Sequence, residues 1–176
     1  MVVSDTGPLI SAFQSDSLGI LIDLFGTVHT SQGCIAELVE HGWRESLILH
    51  GIVGHGLGKS EVEAVAALAV PIVGHPATRE SDPSHHVGEA EVMVLVQRPE
   101  FAGAVLLLDE LAARVVATAA GLNISGFAGV LLTAVYEGLL AADGLRQKLL
   151  QCQQQGTHYS NVFIEKIYHS AREGHR

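Results

Sequence analysis

The sequence predicts an α/β sandwich with a central, mostly parallel sheet. Two apolar runs, Val2-Val3-Ser4 and Ala104 to Leu108, each end at a carboxylate, Asp5 and Asp109. Between and after them, short β-branched or apolar runs alternate with longer segments of helical periodicity. Strands buried on both faces read as continuous apolar runs, and alternation of this kind builds a parallel sheet with helices over it.

Composition agrees. The 176 residues suit one domain spanning 1–176, and 48% apolar against 16% charged residues excludes extended disorder. The formal charge of −9 argues against a broad basic nucleic-acid surface, but an acidic site can still reach phosphate through metal ions. Two cysteines far apart, Cys34 and Cys152, form neither a disulfide framework nor a zinc spacing, so a reducing cytoplasmic setting is expected. No basic segment leads into an apolar run at the start. Val115 to Tyr136 carries no charge and is long enough to span a bilayer, but Gly121-Leu122-Asn123 and Gly126 break it into shorter elements, so no membrane association is expected.

Residues 2–4 read as a buried strand, and Pro8 suits the first turn of a helix to about Phe13. Ser15, Asp16 and Ser17 offer caps for a helix over Leu18–Leu24, which Gly26 stops. Thr27 to Thr30 is a second strand. Thr30 or Ser31 can cap a helix from Gly33 to Glu40, and His41 suits the dipole of its last turn. Residues 43–58 carry a weaker pattern, with Leu47, Ile48 and Leu49 as a short helix or strand. Ser60 and Glu63 form a capping box for a helix to Val70, with Pro71 to Gly74 as a further short strand. Residues 75–85 read as a polar loop, and His85 and His86 as solvated residues at its end. A helix follows from Gly88 to Gln97. After the 104–108 strand come a helix over Leu111–Ala120, a strand over Asn123–Ser125, a helix over Phe127–Glu137, and C-terminal helices within 143–172, capped by Asp143 and Ser160.

Parallel strands bring Asp5 and Asp109 to the same edge of the sheet, outside the strands' carboxyl ends, where ligands bind in such folds. Helices returning to that edge can add Glu37 and Glu91. Several carboxylates in one place repel one another unless a cation joins them. Hard divalent ions such as Mg²⁺ and Mn²⁺ favour these oxygen ligands and promote phosphodiester hydrolysis. A plainer reading stands beside this one. Glu89, Glu91 and Glu110 suit first helical turns, Glu37 suits a solvated face, and Asp5 before Gly-Pro suits a turn. Arg114 can touch a substrate phosphate or pair with Glu110 at helical spacing.

Other motifs carry less. Asp5-Thr6-Gly7 matches the aspartic protease triplet, but that chemistry belongs to an all-β fold. Gly54 to Ser60 is similar to a phosphate-binding loop, but its first glycine would fall at Val53. Cys34 reads as a small buried residue and Trp43 as core or interface packing.

Ser4-Asp5-Thr6-Gly7-Pro8-Leu9-Ile10 resembles the opening of the small prokaryotic, VapC-like branch of the PIN domain family. So do Gly26-Thr27-Val28-His29 with Ala36-Glu37-Leu38, and Gly88-Glu89-Ala90-Glu91. Leu106 to Glu110 with Ala113-Arg114, and Gly121 to Gly126 with Gly129 to Leu132, continue the likeness through nearly the whole chain. The resemblance implies a three-layer α/β/α sandwich and a Mg²⁺- or Mn²⁺-dependent endoribonuclease. Asp5, Glu37, Glu91 and Asp109 would be the catalytic and metal-binding acids. Thr6, Glu89 and Glu110 would support them, Glu110 standing where the branch usually has a second Asp. Implied partners are RNA and a small antitoxin covering the acidic groove, and the low charge is compatible with a homodimer. A PIN-like module that binds nucleic acid or protein without cleaving is the alternative, and a phosphatase-like hydrolase using the same acids is a third.

Overall fold

A computed structural model describes residues 1–43, 51–78 and 82–174. Leu47, Ile48 and Leu49 lie outside the described residues, as do Arg44 and Arg79. The elements follow in chain order as β1 (Val2–Ser4), α1 (Thr6–Gln14), α2 (Leu18–Phe25), β2 (Val28–Ser31), α3 (Gln32–Glu40), β3 (Val53–His55) and α4 (Lys59–Val73). Then come α5 (Val87–Leu95), β4 (Val105–Leu107), α6 (Leu111–Ala119), β5 (Ile124–Ser125), α7 (Phe127–Tyr136), α8 (Ala142–Gln154) and α9 (Asn161–Glu173). Short 3₁₀ turns occupy Pro83–His86 and Pro99–Phe101.

The five strands form one all-parallel sheet in the order β3-β2-β1-β4-β5. The chain first lays strands outward from β1 to β2 and β3, then returns to add β4 on the other side of β1. The switch point of this topology, where a crevice opens at the strands' carboxyl ends, therefore lies between β1 and β4.

Alternation along the strands makes two cores and three layers. Val2 and Leu107 join Val28 under α1, α2, α7, α8 and α9, with Leu9, Leu21, Phe127, Leu131, Leu145 and Ile164 among the buried residues. Val3, Leu106 and Leu108 face the opposite side, against Val92, Met93 and Leu95 of α5 and Ala113 and Ala117 of α6. The register Val2↔Val105 and Val3↔Leu106 keeps each apolar set on its own face. A one-residue slip would exchange the two.

Several expectations change. Pro71 to Gly74 is not a strand: Pro71 and Ile72 belong to the last turns of α4, and Ile72 is fully buried. The helix keeps a buried stripe through Val65, Ala69 and Ile72, at i, i+4 and i+7, and that burial outweighs the lost proline donor. The sheet's third strand is instead Val53–His55, within the weakly patterned region. The capping acid of α4 is Glu61, which accepts from the Gly58 N–H at 2.6 Å and binds Arg98 at 2.7 Å, rather than Glu63. His86 is buried, with Nε2 3.0 Å from Thr78 Oγ1, whereas His85 is exposed and lines the cleft at the strands' carboxyl ends. Trp43 stacks on Phe13 with ring centroids 4.7 Å apart. The uncharged stretch from Val115 to Tyr136 is divided among α6, β5 and α7. Among the described residues no helix is long and apolar enough to cross a membrane.

Candidate functional site

The cleft at the switch point has a volume of about 470 Å³, and Asp5, Thr6, Gly7, Glu37, Glu89, Asp109 and Glu110 are among its lining residues. β1 delivers Asp5 and β4, one residue further on, delivers Asp109. The Asp5 N–H donates to the Leu107 carbonyl at 3.0 Å, so the sheet ladder itself fixes the first acid beside the second strand. From the other side, Thr30 Oγ1 donates to the Ser4 carbonyl at 2.7 Å.

Asp5 also caps α1, its Oδ2 accepting from the Gly7 N–H at 3.2 Å. Only 8% of the residue is exposed. Burial first, and then the charge of Glu89, push its carboxyl up to about 7 against the pull of the Gly7 and Thr6 amides. Glu89 is likewise held up at about 7, by burial and then by Glu110 and Glu37. Burial raises Asp109 too, opposed by its hydrogen bonds and by the Arg114 charge. Asp109 Oδ1 accepts from the Phe127 N–H at 2.9 Å at the start of α7, and Oδ2 accepts from the Tyr159 hydroxyl at 3.3 Å.

Glycines bring these elements together. A Cβ on Gly7 would lie 3.6 Å from Asp5 Oδ2 and 3.9 Å from the Asp109 Cβ, so the two acids flank that backbone. A Cβ on Gly88 would stand 3.4 Å from Asp5 Oδ1, which is how α5 presents its first turn to the cleft. Cys34 Sγ approaches Asp5 Oδ1 at 3.7 Å, and burial with the Asp5 charge pushes its thiol up to about 12. It is a packed thiol and not a reactive one.

The cleft thus brings together Asp5, Glu37, Asp109 and Glu89, with Glu110 beside them. It does not include Glu91. Two residues along α5 turn a side chain by roughly 200°, and the Glu91 carboxylate lies instead against Gly33 at the start of α3. The acid that α5 presents to the cleft is therefore Glu89, in its first turn. Glu110 has a defined local task as the cap of α6, accepting from the Ala113 N–H at 2.5 Å. Arg114 neither pairs with Glu110 nor enters this cleft. Its Nη1 donates to the Leu108 carbonyl at 2.8 Å, and the side chain lines a neighbouring groove. Tyr159 had no signal in the sequence: it reaches Asp109 from the turn before α9, 50 residues away.

Among the described residues no three His, Cys, Asp or Glu side chains converge tightly enough to clasp one ion by themselves. Zinc, which takes a closed set of three or four protein ligands, does not suit such a cleft. Mg²⁺ and Mn²⁺ do: they take one or two carboxylates and keep several waters. The acids offer only oxygens, His85 stands among the lining residues, and no Lys or Arg lines the cleft among the described residues. Thr6 Oγ1 is buried there with no hydrogen-bond partner among the described residues, a polar atom left over for a water or ligand. The residues fit a hydrated hard cation.

A family model described as PIN domain matches residues 1–173. Comparison with curated proteins and with solved structures gave no match. The match spans every strand and helix described above, and both strand-end acids that flank the switch point fall within it. The chain belongs to the PIN domain family, a nuclease-type fold.

Proposed function

We propose that the chain is a metal-dependent ribonuclease that hydrolyses RNA phosphodiester bonds in the cleft between β1 and β4. The observation that carries this reading is the meeting of Asp5 and Asp109 at the switch point, with burial holding both carboxyls up and Glu89 raised beside them. Uncompensated carboxylates in a cleft are costly unless a cation joins them.

Asp5, Glu37, Glu89 and Asp109 would hold Mg²⁺ or Mn²⁺ together with waters. The chemistry such an ion supplies when bound is polarisation of the phosphodiester and activation of a water for attack. Asp5 and Asp109 follow closely on β1 and β4, which position them to orient the reacting groups. Glu89, in the first turn of α5, adds its carboxylate to the same cleft beside the two strand-end acids. Thr6 Oγ1 orients a water beside Asp5. Glu110 contributes charge while capping α6.

The ordered motifs that resemble the VapC-like branch support RNA as the substrate and a small antitoxin as partner. An acidic groove of this kind suits a partner that brings a basic side chain into it.

Calorimetric titration with Mn²⁺ of the wild type, Asp5→Asn and Asp109→Asn tests the reading, with cleavage of single-stranded RNA measured in parallel. Binding and cleavage lost in both variants support it. A wild type that binds no Mn²⁺ overturns it in favour of a non-catalytic module that binds nucleic acid or protein.

A further inference from the structure

Next to the acidic cleft lies a second groove of about 610 Å³, between α6, α7 and the start of α9. It shares Asp109 with the cleft, and Tyr159, whose hydroxyl is bonded to Asp109, stands in the dividing wall. One side is aromatic: Tyr159 and Phe163 stack with ring centroids 5.6 Å apart and planes 24° apart. Phe163 remains 37% exposed, and Leu111 on the opposite side is 59% exposed. The floor is backbone at Gly126, where a Cβ would approach Asp109 Oδ1 to 2.6 Å and Arg114 Nη1 to 3.0 Å. Arg114 lines the groove with one Nη anchored on the Leu108 carbonyl, and a guanidinium carries further N–H groups.

Flat apolar walls with a fixed in-plane donor are what an unstacked nucleobase needs. The chain's charge makes such a site more necessary. With 10 Lys and Arg against 19 Asp and Glu, it has little of the cationic surface by which proteins hold phosphates. Stacking requires no such charge.

We propose that this groove is a nucleobase subsite. When a phosphodiester lies over Asp5 and Asp109, the base of an adjoining nucleotide enters the groove, stacks on Phe163 and meets Arg114. The assignment rests on the reading of the acidic cleft as the cleavage site. It makes Phe163 and Arg114 determinants of which base is accepted.

The test is equilibrium binding of short fluorescein-labelled single-stranded RNAs, with Ca²⁺ in place of Mn²⁺ so that oxygen ligands are occupied while the RNA is checked to stay intact, read by anisotropy with one nucleotide at a time made abasic. The proteins are the full-length wild type, Phe163→Ala, Phe163→Leu and Phe163→Tyr; Leu keeps apolar bulk without a ring, and circular dichroism checks the fold. One abasic position is expected to weaken wild-type binding roughly tenfold. Phe163→Ala and Phe163→Leu lose that dependence at the same position, and Phe163→Tyr retains it. Wild-type binding that is absent, or indifferent to every abasic position, overturns the subsite. So does a change in sedimentation on Phe163→Ala with RNA binding intact, which would make the groove a contact between protein chains. Gel assays of the same proteins and RNAs in Mn²⁺ keep the two readings apart. Cleavage without abasic dependence leaves the nuclease standing and removes the subsite, whereas base-dependent binding without cleavage removes the nuclease.

Discussion

The carboxylate of Glu91 occupies the space that a side chain on Gly33 would fill. A Cβ built on Gly33 would overlap Glu91 Oε2, and that oxygen is buried with no hydrogen-bond partner among the described residues. Gly33 lies in the first turn of α3, just after the Ser31 cap, where the helix dipole favours a negative charge. Glu91 is thus a packing element between α5 and α3, and the pair is open to a double-mutant cycle. Gly33→Ala in the wild type is expected to lose stability or gain none, because the overlap cancels the better helix propensity. In the Glu91→Ala background the same change is expected to stabilise by roughly 0.5 kcal/mol. Urea denaturation of the four proteins reads the coupling, and strict additivity would separate the two residues.

The cleft assignment predicts a sharp contrast on α5. Glu89→Gln is expected to weaken Mn²⁺ binding about tenfold or more, since each ligand charge contributes on the order of 1.4 kcal/mol or above. Glu91→Gln is expected to stay within about twofold of wild type. Calorimetry on the two single variants decides it, and the reverse order would return the metal to Glu91.

Asp109 separates charge from hydrogen bonding. Asp109→Asn keeps an oxygen for the Phe127 N–H and is expected to fold with near wild-type stability while losing about a hundredfold or more in RNA cleavage. Asp109→Ala leaves that amide without its acceptor and is expected to cost about 1–3 kcal/mol as well. Thermal melts beside cleavage rates distinguish the two effects.

The raised carboxyls give the metal-free protein a defined pH dependence. Asp5 and Glu89 are both held up at about 7 in the fold, above their ordinary values of 3.8 and 4.5. Between roughly pH 4 and 7 the folded state therefore keeps protons that the unfolded chain has released, and stability falls as pH rises through that window. Below it both states are protonated and the penalty vanishes; above it the loss is complete. Asp5→Asn is expected to remove part of this slope and to stabilise the metal-free protein at pH 8 by on the order of 1–3 kcal/mol. Mn²⁺ releases the same protons, so its affinity is expected to climb across pH 6–7.5. Melting temperatures in EDTA from pH 4 to 8 check the first expectation and titrations the second; a flat wild-type profile would remove both.

The sheet's centre is legible in the sequence because it is the simplest case. Val2, Val3, Leu106 and Leu107 are buried on both faces, so their strands appear as unbroken apolar runs, and a polar residue at the end of each marks where the sheet meets solvent. Ser31 and Ser160 announce their helices through cap chemistry, and both side chains accept the expected amide. What escapes is geometry between elements. Glu89 and Glu91 stand on the same helix with the same chemistry, and which one faces the cleft depends on Gly33 and Gly88 leaving room. His86 is buried by a 3₁₀ turn that composition does not reveal. Tyr159 reaches Asp109 only because α9 folds back over α7. The strand β3 hides because an edge strand of three residues, with Val53 39% exposed, needs little apolar pattern.

The strand order has a consequence for how the molecule is made. β1 lies at the middle of the sheet but pairs on one side with β4, roughly a hundred residues later. Such distant pairing is intrinsically slow to form. During synthesis the first acid emerges early and has no second acid to meet until the 105–107 segment has left the ribosome and docked. A nascent or truncated chain that stops short of β4 holds Asp5 without Asp109. On the proposed reading the cleft between β1 and β4 is incomplete by topology until synthesis has passed Asp109.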